Sequence, residues 1–381
     1  MCQKFICFVG TFNKIILLIT PIKFIKQYVM NKKSKLKLII SRFLLLSAIF
    51  LILIFFVLEV YALIVQKESQ EPLPPLFGNF PHIRDTLEKQ GQKEEFSFVV
   101  IGDTRSVGTF ERIVQELRNI KLDFAVLLGD CSYKGTEGEH NFFRAECVDE
   151  YALPFPVFYI VGNHDVSMSD FTISRFEKVY GPSIFSFEYQ GCLFIALRIL
   201  NEPYSNEQSF EFLRAWLKKQ PEKYKKRFVF MHIPPPISED FESRKFTGSE
   251  NLVKLFDELK IDYVFAGDFH GHARVKLGDV VYIITGGGGA HLRESRSKQF
   301  HHAFIMRVDK NGVNERFIPV DRENHLEDRL ERLAIARVYP WLSSNRLAAS
   351  LINAAVLIGL IGMLWLLVRN GRNVRLSRKK E

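Results

Sequence analysis

The sequence predicts an α/β domain carried between two membrane-spanning helices. Three observations lead there. Apolar, β-branched runs alternate with amphipathic stretches through the middle of the chain, five of those runs end in polar loops, and two long apolar runs bracket the whole. The 381 residues carry 47% hydrophobic and 25% charged side chains, which excludes a disordered or collagen-like chain. The formal net charge of +9 is unevenly placed. Residues 1–66 hold nine Lys/Arg against one Glu, residues 369–381 six against one, and the stretch between them is left at −4. No nucleic-acid partner is expected, because the basic charge sits in the tails and not on the body.

Residues 1–42 form a basic N-terminal segment. Phe43–Leu58 is an uncharged apolar run that Glu59 interrupts and Val60–Val65 continues, so residues 43–65 are long enough to cross a bilayer, which takes roughly 20 residues. Residues 347–368 form a second run of 22 residues with no charge and no polar face. Lys32, Lys33, Lys35, Lys37 and Arg42 precede the first run; Arg369, Arg372, Arg375, Arg378, Lys379 and Lys380 follow the second, in the tail 369–381. The positive-inside rule then puts both termini in the cytoplasm and the body in a periplasm, a lumen or the cell exterior. A signal peptide cleaved near Val60-Tyr61-Ala62 is the rival reading, although the apolar run is long for one. Residues 1–29 hold two short apolar pieces split by Lys14 and stopped by Pro21. Translation from Met30, or a segment lying on the membrane surface, would account for them.

Residues 66–95 read as a stalk: four prolines between Glu71 and His82 favour a stiff, extended spacer before a short helical stretch. The catalytic body is expected over 96–320. Its strands are Phe96–Ile101, Phe124–Leu128, Val157–Val161, Cys192–Leu197, Arg227–Met231, Tyr263–Ala266, Val280–Thr285 and Ala303–Val308. Helical spacing marks Phe110–Ile120, Phe210–Lys218 and Leu252–Leu259. Residues 321–346 follow as a juxtamembrane helix, amphipathic over Glu323–Tyr339. Cys131, Cys147 and Cys192 show no metal-type spacing and are expected as buried free thiols.

The polar strand ends are GDTR, GDCSY, GNHD, HIPP and GDFHGH, which supply Asp103, Asp130, Asn163, His164, Asp165, His232, Asp268, His270 and His272. In α/β proteins sites form where the carboxyl ends of strands converge. Each residue alone has a plain structural reading, as a helix cap or a turn. Together, aspartates mixed with histidines and an amide suit borderline divalent metals better than calcium. So many ligands point to two ions about 3.5–4 Å apart sharing a carboxylate, a pair that clamps a phosphoryl group and supplies hydroxide at neutral pH.

Asp103, Gly129-Asp130, Gly162-Asn163-His164-Asp165, His232 and His270-Gly271-His272 resemble, in order and spacing, the calcineurin-like metallophosphoesterases. The resemblance implies an αββα four-layer sandwich. It implies that Asp130 bridges two metal ions (Mn, Fe or Zn), that Asp103 and His272 hold one, and that Asn163, His232 and His270 hold the other. It implies that His164 acts beside the leaving group, oriented by Asp165, with Asp268 as outer support. Two departures matter. Arg105 stands where the first motif usually carries a histidine; its planar fork suits a phosphate oxygen pair. Asp130-Cys131-Ser132-Tyr133 resembles the GDxxY element of purple acid phosphatases, so Tyr133 either supplies a phenolate ligand or packs beneath the site. Gly286–Gly289 lacks the phosphate-loop pattern and reads as a turn near the metals, with His291 as a substrate contact.

The expected function is a membrane-anchored phosphohydrolase, on phosphomonoesters or phosphodiesters. The competing class is a non-catalytic phosphate-ligand binding or scaffold protein that keeps the fold; a full ligand set argues against it. Two spans hold the site near a bilayer, which favours a lipid-linked phosphate ester, while soluble nucleotides and phosphoproteins stay open.

Overall fold

The computed structural model describes residues 22–105, 107–219, 223–238, 246–295 and 298–378. Most of residues 1–29, with the suspected start region and Cys2 and Cys7, lies outside the described residues. The chain divides into two units, Glu59–Ser344 and the two terminal segments.

The terminal unit is helical. Helix α1 (Ile22–Glu68) carries the first apolar run, and among the described residues its stretch Ile39–Lys67 is long and apolar enough to cross a membrane. The second apolar run lies on a C-terminal helix, Arg346–Arg378, whose described part passes the same test only when joined to the helices before it.

The large unit is a mixed α/β fold with two sheets. Helix α2 (Pro81–Glu88) leads into β1 (Phe96–Ile101), α3 (Thr109–Leu117), β2 (Phe124–Leu127), α4 (Glu137–Asp149), β3 (Val157–Tyr159) and α5 (Ile173–Tyr180). Then come β4 (Phe185–Tyr189), β5 (Cys192–Ala196), α6 (Glu207–Lys218), β6 (Arg227–Met231), α7 (Ser249–Glu258) and β7 (Tyr263–Ala266). Strands β8 (His272–Leu277), β9 (Val280–Thr285), β10 (His301–Asp309) and β11 (Gly312–Val320) complete the sheets. One sheet has the order β11-β10-β1-β2-β3, the other β4-β5-β6-β7-β9-β8. The β1–β2–β3 and β5–β6–β7–β9 runs are parallel, and hairpins add the antiparallel margins.

Alternation along the strands explains the layering. Phe98, Phe124, Phe158, Phe194, Phe228, Phe230 and Phe265 from both sheets form one fully buried core. Phe98 stacks on Phe124 at 4.9 Å and meets Phe194 edge-on at 5.7 Å. Each ring contributes about 1.5–3 kcal/mol by burial, and offset or edge contacts add about 0.5–1.5 kcal/mol per pair. The opposite strand faces pack against helices. Val99, Ile101, Ala125 and Leu127 meet Ile113, Leu117 and Phe143, whereas Leu193, Ile195, Val229 and Val264 meet Leu213, Leu252 and Phe256.

Two expected spacers are part of this body. Residues 66–95 do not form a free stalk. Phe77 makes a parallel bridge to Val157 and sits against the rings of Phe143 and Tyr180, while the Asn79 side chain bonds Tyr159 through both its amide groups. A large aromatic among the prolines finds an apolar slot and closes the spacer onto the sheet. The 321–346 segment is not one helix either. Helix α8 (Leu326–Leu333) passes through a π turn at Ala334–Val338 into α9 (Tyr339–Ser344) and then the C-terminal helix, α10. Ala334 and Ile335 bury against Phe142 and Ala145 of α4 and against Ala62 and Val65. Cys131, Cys147 and Cys192 are buried free thiols, as expected.

Candidate metal centre

The site is assembled from strand ends. Strand β1 runs into Gly102-Asp103, β2 into Leu128-Gly129-Asp130, β3 into the Gly162–Asp165 loop, β6 directly into His232, and β7 into Gly267-Asp268 ahead of His270. Neighbouring ends are tied by backbone bonds: Asp103 N–H donates to the Gly129 carbonyl (3.1 Å) and Gly267 N–H to the His232 carbonyl (2.9 Å). Asp103, Asp130 and Asp268 all leave their strands in left-handed backbone, with φ of 57°, 54° and 60°, and Arg105 does so at 54°. Each costs on the order of 1 kcal/mol or more, and such residues cluster where function over-determines the backbone. Two glycines make room for the acids. A Cβ at Gly162 would sit 2.4 Å from Asp130 Oδ1, and one at Gly286 would sit 2.5 Å from Asp103 Oδ2. The glycine run after β9 therefore serves close approach to Asp103.

Asp130 is the hub. Its Oδ1 accepts the His164 N–H (2.9 Å) and lies 3.2 Å from His232 Nε2. Its Oδ2 accepts from Arg105 Nη2 at 3.0 Å. Burial pushes the Asp130 carboxyl up, but the fields of His232, Arg105 and His164 outweigh it and hold the pKa below the usual value. Fully buried His232 donates Nδ1–H to the Leu128 carbonyl (2.7 Å), and its Nε2 faces Asn163 Oδ1 at 2.8 Å. In that tautomer Nε2, Asn163 Oδ1 and Asp130 Oδ1 are all acceptors, and acceptors converging on one another fit a metal cation between them.

His270 repeats the pattern. Its Nδ1–H donates to the His291 carbonyl (2.8 Å) and its Nε2 lies 3.5 Å from Asp103 Oδ1. Burial, helped by Arg105 and Arg293, lowers its pKa to about 4, so the ring is neutral and its lone pair available. One ligand atom each from Asp103, Asp130 and His270 lies within 4.8 Å of the others. His272 is not part of that tight triplet: its Nδ1–H bonds the Ile284 carbonyl (3.0 Å) and its ring lies edge-on to Phe317 at 4.5 Å. Asp268 stands nearer than an outer support: its N–H donates to Asp103 Oδ2 (2.9 Å) and its carboxylate lies 4.0 Å from His232 Nε2. The His291 ring Nδ1 itself bonds the Leu292 carbonyl (2.9 Å).

A family model for calcineurin-like phosphoesterases matches residues 96–272. Residues 96–272 are a calcineurin-like phosphoesterase domain. Serine/threonine-protein phosphatase CPPED1 of Bos taurus is 26% identical over 250 residues, which is 58% of this chain and 76% of that protein. Among solved structures, purple acid phosphatase PPD1 from yellow lupin is similar at 14% identity and a TM-score of 0.45, covering 63% of this chain and 56% of that one. A dimetal phosphatase from Danio rerio is similar at 13% identity and a TM-score of 0.39, covering 59% and 99%. The chain is a metal-dependent phosphoesterase, and its converging carboxylates, amide and imidazoles fit divalent ions.

Around the phosphoesterase centre one expected partnership is missing from the geometry. Asp165 does not orient His164. Its buried carboxylate accepts the backbone N–H groups of Gly162 (2.8 Å), Asp130 (2.7 Å) and Ser132 (3.0 Å), so it ties two loops together. His164 is held instead by Nδ1 on the Tyr133 carbonyl (3.0 Å). Tyr133 presents its ring to two guanidinium groups, Arg332 at 3.7 Å and Arg105 at 5.4 Å. Arg332 arrives from α8, where it also forks onto buried Glu139 at 2.7 and 2.8 Å. No motif announces Arg332; its only trace is a basic position on an amphipathic stretch far along the chain.

Proposed function

We propose that this phosphoesterase works with two metal ions and hydrolyses a phosphate ester at the surface of a membrane that anchors it. The observation carrying the reading is that donors from Asp103, Asn163, His232 and His270 all converge around Asp130. Asp103, Asp130 and His272, with or without Tyr133, would hold one ion; Asp130, Asn163, His232 and His270 would hold the other. Mn, Fe and Zn suit such mixed oxygen and nitrogen donors. When bound, ions of this kind polarise phosphoryl oxygens and make hydroxide available at neutral pH.

The chain's own residues do the rest. Arg105 lies over the hub, and its fork can take phosphate oxygens while Asp130 holds one Nη in place. His164 is half-exposed, and its Nδ1–H is fixed on a carbonyl. As an imidazolium it donates a proton from Nε2 to the departing oxygen. Asp165 fixes the loop that carries His164, and Asp268 fixes Asp103.

The anchor is two-span, over residues 43–65 and 347–368, with both termini cytoplasmic and the body on the other side. An apolar run at each end of the body keeps the site near the bilayer, which favours a lipid-linked phosphate ester. The test uses the full chain in detergent, with metals quantified and turnover measured on matched lipid-linked and soluble phosphate esters. Two ions per chain and preference for the lipid-linked substrate are expected, and Asp130→Asn should lose turnover and metal while staying folded. A folded Asp130→Asn variant with unchanged turnover overturns the two-metal reading; equal rates on both substrates overturn the lipid one.

A further inference from the structure

Away from the metal centre, three helices meet around a knot of acids. Helix α3 brings Glu111, α4 brings Glu146 with Glu150 just past its end, and the first turn of α8 brings Asp328. Glu111, Glu146 and Asp328 are only 2%, 4% and 6% exposed. One oxygen each from Glu111, Glu146 and Glu150 lies within 4.8 Å of the others, and ligand atoms of Glu111, Asp328 and His325 do the same. Tyr151 Oη donates to Glu111 Oε1 at 2.8 Å. Glu111 Oε2 and Glu146 Oε2 are buried without any hydrogen-bond partner.

Carboxylates buried this deeply need neutralising, since an uncompensated buried charge is far costlier than a paired one. The main charge effects on Glu146 come from Glu331, Glu111, Asp328 and Glu150, all acids, while His325 and Arg118 act on Glu150 at the rim. His325 is occupied at the rim, with Nε2 3.0 Å from Glu323 and Nδ1 3.3 Å from Asp328. We propose that this knot binds a hard divalent cation, calcium, through Glu111, Glu146, Glu150 and Asp328, and that the cation pins α8 to the body. Carboxylate oxygens are the ligands calcium prefers, and two Ca–O bonds of about 2.3–2.6 Å span the separation seen here. Glu150 is exposed, so the knot has an open side through which an ion can enter. Because α8 also carries Arg332, the same ion would steady the ring contact on Tyr133.

Burial and neighbouring acids drive the Glu146 carboxyl up to about 9 and the Glu111 carboxyl to about 7, so protons are the competing means of neutralisation. The experiment separates the two. Chelator-stripped full-length protein in detergent is melted at pH 7.5 across a calcium titration, and bound calcium is counted by equilibrium dialysis. The expected result is uptake of calcium with a saturable rise in Tm, roughly 5–10 °C at about a hundredfold above Kd. Glu146→Gln and Glu111→Gln should each lose the calcium response, yet in chelator each should melt above the stripped wild type, because folding no longer has to take up a proton or bury a charge at that position. Asp130→Asn should keep the response. The proposal is overturned if the wild type shows no calcium uptake, if both Gln variants respond as the wild type does, or if Asp130→Asn abolishes the rise, which would place the ion at the catalytic centre.

Discussion

Asp165 shows how a motif residue can be placed correctly and read wrongly. It sits in GNHD beside His164, and adjacency suggests a catalytic partnership. Its carboxylate instead accepts three backbone N–H groups from two loops, with the Ser132 hydroxyl beside them. Asp165→Ala would strand three buried donors, so a loss of about 3–5 kcal/mol is expected. Denaturant melts with kcat measured below the transition check this; a stable variant with a depressed kcat would restore the catalytic role. Arg105 makes the opposite case. Its backbone is left-handed and its Nη2 is bonded to Asp130, so it is aimed by the site and not by the surface. A charged hydrogen bond to phosphate is worth about 1.5–3 kcal/mol, so Arg105→Ala should lower kcat/KM about tenfold or more with metal content unchanged. Loss of an ion would assign Arg105 to metal retention instead. For Tyr133, with a guanidinium 3.7 Å from its ring, Tyr133→Phe keeps the cation contact and removes only the oxygen. If the phenolate is a ligand, a visible charge-transfer band is bleached or one ion is held more weakly; a colourless wild type with full activity and both ions retained in the variant would make Tyr133 a packing residue.

At the scale of elements, the parallel strands were legible because apolar runs buried on both faces are hard to mistake. Strands β4, β8 and β11 were not. They lie at sheet margins and carry exposed positions among buried or half-buried ones, so they read as loop. Helix α4 was missed too: its cap is a plain Thr136–Glu139 bond, but buried Glu139, His140 and Glu146 blur its apolar stripe. The strand-end ligands were legible because Gly-Asp and Gly-Asn-His-Asp sit at abrupt changes from apolar to polar. The acid knot was not, since Glu111, Glu146 and Asp328 come from three distant helices that meet only after folding. That knot gives stability a pH dependence with a definite sign. Glu111 and Glu146 have folded pKa values of about 7 and about 9, above the ordinary 4.5, because burial disfavours their charge. The folded state therefore holds protons that the unfolded state gives up. This stability is complete below about 4.5 and is lost as pH rises through 7 toward 9. In chelator, Tm should fall across that window, by an equivalent of about 3 kcal/mol for Glu111 alone. Melting from pH 5 to 9 tests it, and a flat profile would show that the acids are neutralised by neither protons nor ions.

At the scale of the molecule, the proposed two-span orientation rests on charge placement. Basic residues flank both apolar runs on their outer sides, and the body between is mildly acidic. Single cysteines placed near Gln90 and at the C-terminus should react from opposite faces of sealed vesicles; labelling of both from one face would refute the two-span topology. The segment between the first apolar helix and the body has a second consequence. Strand β3 is three residues long and stands at the margin of its sheet, where Phe77 covers it. Margins left open invite other chains to pair with them. A protease that cuts the protein at Pro72–Pro75 leaves that cover in place on the sheet. A cut at Glu94–Glu95 strips it away along with Ile83 and Leu87 of α2, leaving a fragment primed to pair with its own copies. Where the chain is severed thus decides whether the body keeps a covered sheet margin or carries an open one.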